Sequence, residues 1–284
     1  KRITVTAEET QDNKISIKSS VGELESVPKR PINEIDFQLR PFYYLADMII
    51  QKHNPKSGMK ITIDSEIPLG VGLGSSSASC VAGAAAILGV FTQNSKHEIL
   101  QMAIEAEKTI FPNTSGADCT VCTFGGLIQY DKEKGHSKMD FEPNFHLVIA
   151  NSEMEHSTKE VVSKVKQFKE ENEETFSQIC KDESKLIEDV LVCLKNNDLE
   201  GLGRNMIKNQ EYLEQIGVSN SKLSDMIKIA KNYSFGAKLT GAGGGGCIFA
   251  LTDEENRGKT ITRLKENNFD CFSTKIDFIG LDTF

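Results

Sequence analysis

Tryptophan is absent from these 284 residues, and only 7% of the chain is aromatic. A hydrophobic share of 38%, with 15 Phe, still supplies material for real cores. Positive charge is in deficit: 33 Lys and Arg face 41 Asp and Glu, a net charge of −8. That balance argues against a broad nucleic-acid or anionic-membrane surface. Long apolar runs are missing too. The longest small-apolar stretch, Cys80–Phe91, is too short to span a bilayer. No signal-peptide pattern is read. Seven cysteines, an odd number without a regular framework, read as reduced thiols, so the protein is expected in the cytoplasm. The five His (53, 97, 136, 146 and 156) lack ligand spacing, and the C-x-x-C at Cys119 and Cys122 has no second pair. Zinc is therefore not expected.

Strand-like and helix-like patterns interleave, which reads as α+β. "ITVTA" and "ISIKS" within residues 1–20 suggest a hairpin. Residues 33–51 show an apolar helical stripe, and "MKITIDSEIP" (59–68) alternates like a strand ending at Pro68. Helices are read at 75–90, 96–110 and through 158–200, then over "GLGRNMIKNQEYLEQIG" and "KLSDMIKIAKNY". "LIQYD", "HLVIANS", "CIFALT" and "CFSTKIDFI" read as strands. A boundary is expected at 155, giving domains 1–155 and 156–284. The chain opens at Lys1, without Met, inside strand-like "RITVTAEE", so a native N-terminal segment is expected upstream.

What is abundant is glycine, in two clusters. In "KLTGAGGGGCIFAL", five of the six residues from Gly241 to Gly246 are glycine. Each costs roughly 0.5–1 kcal/mol relative to alanine in an ordered element. The flanks are apolar strand formers, not linker residues, so a rigid, closely packed loop is expected. The other cluster is "PLGVGLGSSSASCVAGAAAILGV". A strand ends, glycines at 70, 72 and 74 free the backbone, and Ser75, Ser76 and Ser77 open a helix. Unpaired N–H groups in such a first turn suit a polyphosphate. No Lys follows the last glycine, so this is not a Walker A loop, and the spacing does not fit G-x-G-x-x-G.

Two carboxylates follow. Glu107 borders the apolar stripe Ile99, Met102, Ala103, Ala106, Ile110 on its helix, where a carboxylate needs a partner. Asp118 follows "SG" before a small-residue segment. Beside a phosphate loop, such a pair suits a magnesium ligand plus a base or orienting group.

The glycine clusters resemble the second and third signature motifs of the galactokinase–homoserine kinase–mevalonate kinase–phosphomevalonate kinase superfamily. There P-x-x-x-G-L-G-S-S-[AS] wraps the ATP phosphates and K-L-T-G-A-G-G-G-G-C packs beside it. The acidic stretch is similar to the mevalonate kinase family in particular. Glu107, Ser115, Gly116, Asp118, Thr123, Phe124, Gly125 and Gly126 match E-x7-S-G-x-D-x4-T-F-G-G. "HSTKE" and "NQEYLEQIGVS" resemble further family segments. "FPNTSG" departs from the Gly-Asn-Pro usual in animal enzymes, and the family's first motif, P-G-[KR]…G-E-H, is absent from the sequence.

The resemblance implies an α+β, two-domain small-molecule kinase fold with the active site in the cleft between domains. The N-terminal domain would bind nucleotide and phosphate. The C-terminal one, ferredoxin-like, would carry the loop 241–246. The implied activity is transfer of the γ-phosphoryl of ATP to the 5-hydroxyl of mevalonate, in isoprenoid and sterol precursor synthesis. Gly70, Gly72, Leu73, Gly74, Ser75, Ser76, Ser77, Gly243 and Gly244 would bind ATP. Ser76 and Glu107 would hold Mg²⁺. Asp118 would be the base, kept ionised by Mg²⁺ and the Lys of the first motif. Thr158, Asp118 and Ala242 would contact mevalonate. A homodimer is implied, as is inhibition by long isoprenoid diphosphates; no nucleic acid or membrane partner is. The alternatives are another kinase of the superfamily, such as phosphomevalonate kinase or a sugar kinase, and a non-catalytic nucleotide-binding sensor.

Overall fold

The computed structural model describes residues 1–68, 70–141, 143–154 and 157–284. Leu69 of the first glycine cluster and His156 of "HSTKE" lie outside the described residues. The chain divides into two compact units. The first comprises Lys1–Leu69, Gly74–Met139 and Asp277–Phe284; the second comprises Gly70–Leu73 and Asp140–Ile276. Both mix helices with an antiparallel or mixed sheet, so the α+β expectation holds.

In the first unit, β1 (Ile3–Thr10), β2 (Ile15–Ser19), β3 (Gly22–Ser26) and β4 (Gly58–Ser65) form a sheet of order β1-β4-β2-β3. The expected hairpin between β1 and β2 does not form. β4 inserts between them, antiparallel to β1 and parallel to β2. Its Met59, Ile61 and Ile63 are all buried, and Ile61 faces Ala7 on one side and Ile17 on the other. A strand with so apolar a face gains most at the centre of the sheet. β2 instead makes its hairpin with β3.

Among the described residues, four helices accompany this sheet: α1 (Arg40–His53), α2 (Ser75–Gly89), α3 (Lys96–Lys108) and α4 (Ala117–Phe124). α1 starts later than its stripe suggested, because Pro41 suits a first turn and lacks the N–H that a helix interior uses. Ile32–Glu34 upstream forms a 3₁₀ turn instead. The small residues of α2 let α1 approach: a Cβ at Gly83 would lie 2.7 Å from the Phe42 ring. β5 (Ile128–Asp131) and β6 (Gly135–Lys138) add a hairpin. The C-terminal segment returns to this unit, where the Leu281 N–H donates to the Thr123 carbonyl at the end of α4.

The second unit is built on β7 (His146–Asn151), β8 (Gly236–Leu239), β9 (Cys247–Thr252) and β10 (Cys271–Thr274), in the order β10-β7-β9-β8. All three pairings are antiparallel. Helices α5 (Thr158–Glu171), α6 (Glu173–Lys195), α7 (Leu199–Gln215), α8 (Ser221–Lys231) and α9 (Glu254–Glu266) complete it. Its core joins Val148, Ala150, Leu239, Ile248 and Ala250 of the sheet to Leu223, Met226 and Leu264 of the helices. No helix among the described residues is long and apolar enough to cross a membrane.

Candidate active site

In the second unit, the glycine loop between β8 and β9 packs against Gly70–Leu73. Gly72 and Gly241 both have left-handed backbone, at φ +76° and +73°. A Cβ on Gly241 would lie 2.9 Å from the Gly72 Cα, and one on Gly72 would lie 3.1 Å from the Thr240 carbonyl oxygen. Backbone therefore rests on backbone, and a side chain at either position would part them. The Cys247 N–H donates to the Val71 carbonyl at 3.0 Å, and the Thr240 hydroxyl to that of Gly72 at 3.3 Å. From the other side, the Gly244 N–H donates to the Val218 carbonyl at 2.7 Å, and the Asn220 side chain donates to the Gly244 carbonyl at 3.0 Å. The loop is a fixed support, with Gly72 and Val218 held against its two faces.

Ala242 of this loop lines a groove of about 410 Å³ together with Val161, Val165 and Lys166 of α5 and Phe176 of α6. Thr158 is the first residue of α5 and is exposed; Ser157 caps that helix by accepting the Glu160 N–H.

The chain runs from Leu73 into Gly74 and the first unit. Gly74, at φ +68°, is the N-cap of α2 and offers no side chain to cap it. The first-turn N–H groups at Ser75–Ser77 thus have no side-chain oxygen from the cap, at a 15-residue helix whose dipole is positive there. That end suits phosphate. Ser76 is half-buried, whereas Ser77 is turned inward and buried. The Ser77 hydroxyl donates to Glu107 Oε1.

Glu107, near the end of α3, is only 3% exposed. Its other oxygen, Oε2, accepts the Thr114 hydroxyl at 2.6 Å and the Cys119 S–H at 3.5 Å. Among the described residues, no ion pair involves Glu107. A buried carboxylate supported only by neutral donors is expensive unless a cation completes its surroundings. The donors nearby are hydroxyls and carboxylates, which suit a hard divalent cation such as Mg²⁺. Burial, and then the charge on Glu107, push the Cys80 and Cys119 thiols well up, so neither offers a thiolate to a softer metal. Glu107, with Ser76 at the start of α2, therefore fits the group the sequence implies.

Asp118 lies in the first turn of α4, after the N-cap Gly116 at φ +81°. Burial, and next the charge of Glu107, raise its carboxyl above the ordinary value. The Thr114 hydroxyl oxygen also accepts the Gly116 N–H at 3.2 Å, so one threonine ties Glu107 to the start of the helix carrying Asp118. Reading the sequence missed this role of Thr114 and the partnership of Ser77 with Glu107. Only the buried position of Glu107 on its stripe signalled that partners must exist.

The geometry can be compared with known proteins. The description "GHMP kinases N terminal domain" matches residues 41–126, and "GHMP kinases C terminal" matches 190–270. The mevalonate kinase of Pyrococcus abyssi is 34% identical over 245 residues, 84% of this chain and 72% of that protein. The chain belongs to the mevalonate kinases, within the GHMP kinases. Another mevalonate kinase, from Archaeoglobus fulgidus, is 32% identical across 88% of this chain and 83% of its own length. The crystal structure of the Methanococcus jannaschii mevalonate kinase superposes with a TM-score of 0.81 at 27% identity, covering 96% of this chain and 88% of that one. As a member of the mevalonate kinases, the chain is a kinase with ATP as its phosphoryl donor.

Proposed function

We propose that this chain transfers the γ-phosphoryl group of ATP to the 5-hydroxyl of mevalonate. Membership of the mevalonate kinases supports the substrate. The observation that carries the chemistry is a buried Glu107 beside the uncapped start of α2, with a raised Asp118 in the charge field of Glu107.

Each residue has a role in this reading. The backbone of Gly70, Gly72, Leu73, Gly74, Ser75, Ser76 and Ser77, with Gly243 and Gly244 of the supporting loop, cradles the triphosphate. Ser76 and Glu107 would hold Mg²⁺. Bound there, the ion would neutralise charge on the phosphate oxygens during transfer. Asp118 orients the substrate hydroxyl and accepts its proton, and a carboxyl shifted upward is the stronger base. Thr158 and Ala242 contact mevalonate. The groove at Ala242 has an apolar wall from Val161, Val165 and Phe176, a fit for a methyl group on the substrate.

The remaining features are finer. Seven free cysteines support a reducing, cytoplasmic setting. Family resemblance supports a homodimer, which sedimentation at assay concentration would reveal as twice the mass of the chain. It also supports inhibition by long isoprenoid diphosphates, whose diphosphate suits the same N–H cradle as ATP. Farnesyl diphosphate is expected to raise the KM for ATP without lowering kcat. Inhibition that saturating ATP fails to relieve would refute a shared site. The function itself is tested by a coupled ADP-release assay with mevalonate, phosphomevalonate, galactose and homoserine as acceptors. Turnover with mevalonate at least tenfold above the others is expected (a discrimination of about 1.4 kcal/mol).

A further inference from the structure

An ionised carboxylate offers about four lone-pair sites on its two oxygens. On Glu107, Oε2 accepts two protons, from the Thr114 hydroxyl at 2.6 Å and the Cys119 thiol at 3.5 Å. Oε1 accepts one, from the Ser77 hydroxyl. Among these contacts, the site still open lies on Oε1, the oxygen bonded to the first turn of α2. The three donors come from α2, from the segment after α3 and from α4, so the carboxylate is gripped from three directions. Thr114 is itself fixed, because its oxygen accepts the Gly116 N–H. An exposure of 3% leaves bulk water little part in orienting Glu107.

We propose that Ser77 and Thr114 are positioning residues for Glu107. Each holds one carboxylate oxygen, so that Oε1 presents its remaining lone pair to a divalent cation as a single-oxygen ligand. The Ser77 hydroxyl thereby acts through Glu107 and not as a phosphate contact. The proposal rests on the reading of Glu107 as a metal ligand. Partners that orient a ligand typically change metal affinity by about 10–100-fold when removed.

The test reads metal binding directly. Free Mn²⁺ is followed by electron paramagnetic resonance as it is titrated into protein saturated with a non-hydrolysable ATP analogue. Ser77→Ala and Thr114→Val are each expected to weaken Mn²⁺ binding about 10–100-fold. Thr114→Ser, which keeps the hydroxyl, is expected to stay within about threefold of the unaltered protein, well inside that range. In turnover, the Mg²⁺ concentration for half-maximal rate should rise with the same pattern while the KM for mevalonate holds. Circular dichroism confirms which variants fold, and Thr114→Ser keeps the test open if Thr114→Val does not. The proposal is overturned if Ser77→Ala binds Mn²⁺ as tightly as the unaltered protein while Glu107→Gln does not. It is overturned equally if Thr114→Ser loses as much as Thr114→Val. Undiminished Mn²⁺ binding by Glu107→Gln would instead remove the ligand reading itself, and the proposal with it.

Discussion

Asp118→Asn is expected to lose about 10²–10⁴-fold in kcat, the range general-base steps contribute, while nucleotide affinity stays unchanged. The amide keeps the shape of the carboxyl but cannot accept the substrate proton. Phosphoryl transfer passes through a loose transition state with little early proton loss, so positioning shares the work with proton transfer. The pH profile separates the two. In the protein without bound metal, burial and next Glu107 raise the Asp118 carboxyl above its ordinary value. Protonation of Asp118 removes the proton acceptor, so kcat/KM should fall on the acid side and Asp118→Asn should lose that limb. Stability should move the opposite way. A carboxyl with a raised folded value destabilises the fold once pH rises through that value, because the folded state binds the proton more tightly. At neutral pH the substitution removes that burden, so the melting temperature should rise as activity falls. Retention of kcat within about tenfold, only ~1.4 kcal/mol of barrier, would reduce Asp118 to a structural residue of α4.

Gly243→Val is expected to cost more stability than any surface substitution. Gly243 sits at φ +87°, and an added Cβ would lie 2.3 Å from the Val218 carbonyl oxygen. A β-branched residue at positive φ carries about 1–3 kcal/mol of strain, and overlap with backbone adds about 1–3 kcal/mol more. The sum predicts a melting temperature lower by on the order of 10 °C. Gly217→Val separates the two contributions. Gly217 has a similar φ, +77°, with nothing within 4 Å of its added Cβ. It should show the strain alone, roughly half the loss. Activity should drop further in Gly243→Val, because the loop that moves also supports Gly70–Leu73. Equal losses in the two variants would mean that the loop is not packed as described.

The glycine loop was legible because its flanks were apolar strand formers. What presses on it was not, since Val218 and Gly72 are distant in sequence. The helices of the first unit were legible from their stripes, except at the start of α1, where Pro41 overrode the pattern. The β1–β2 hairpin was misread because local alternation says nothing of a strand arriving forty residues later. Glu107 was legible as a carboxylate needing partners. Ser77 looked like one more hydroxyl of a phosphate loop, and Thr114 lay in the "FPNTSG" departure. Neither could be joined to Glu107 until the fold brought α2, α3 and α4 together. The nearness of the Glu107 charge to Asp118 escaped the sequence for the same reason.

Phosphorus and carbon magnetic resonance of the reaction product tests the central claim most directly. Purified chain, in its full natural length, is incubated with ATP, Mg²⁺ and mevalonate. The account predicts stoichiometric ADP and a phosphomonoester coupled to carbon 5 of mevalonate. ADP release without that ester, or an ester formed faster on galactose, homoserine or phosphomevalonate, would contradict it.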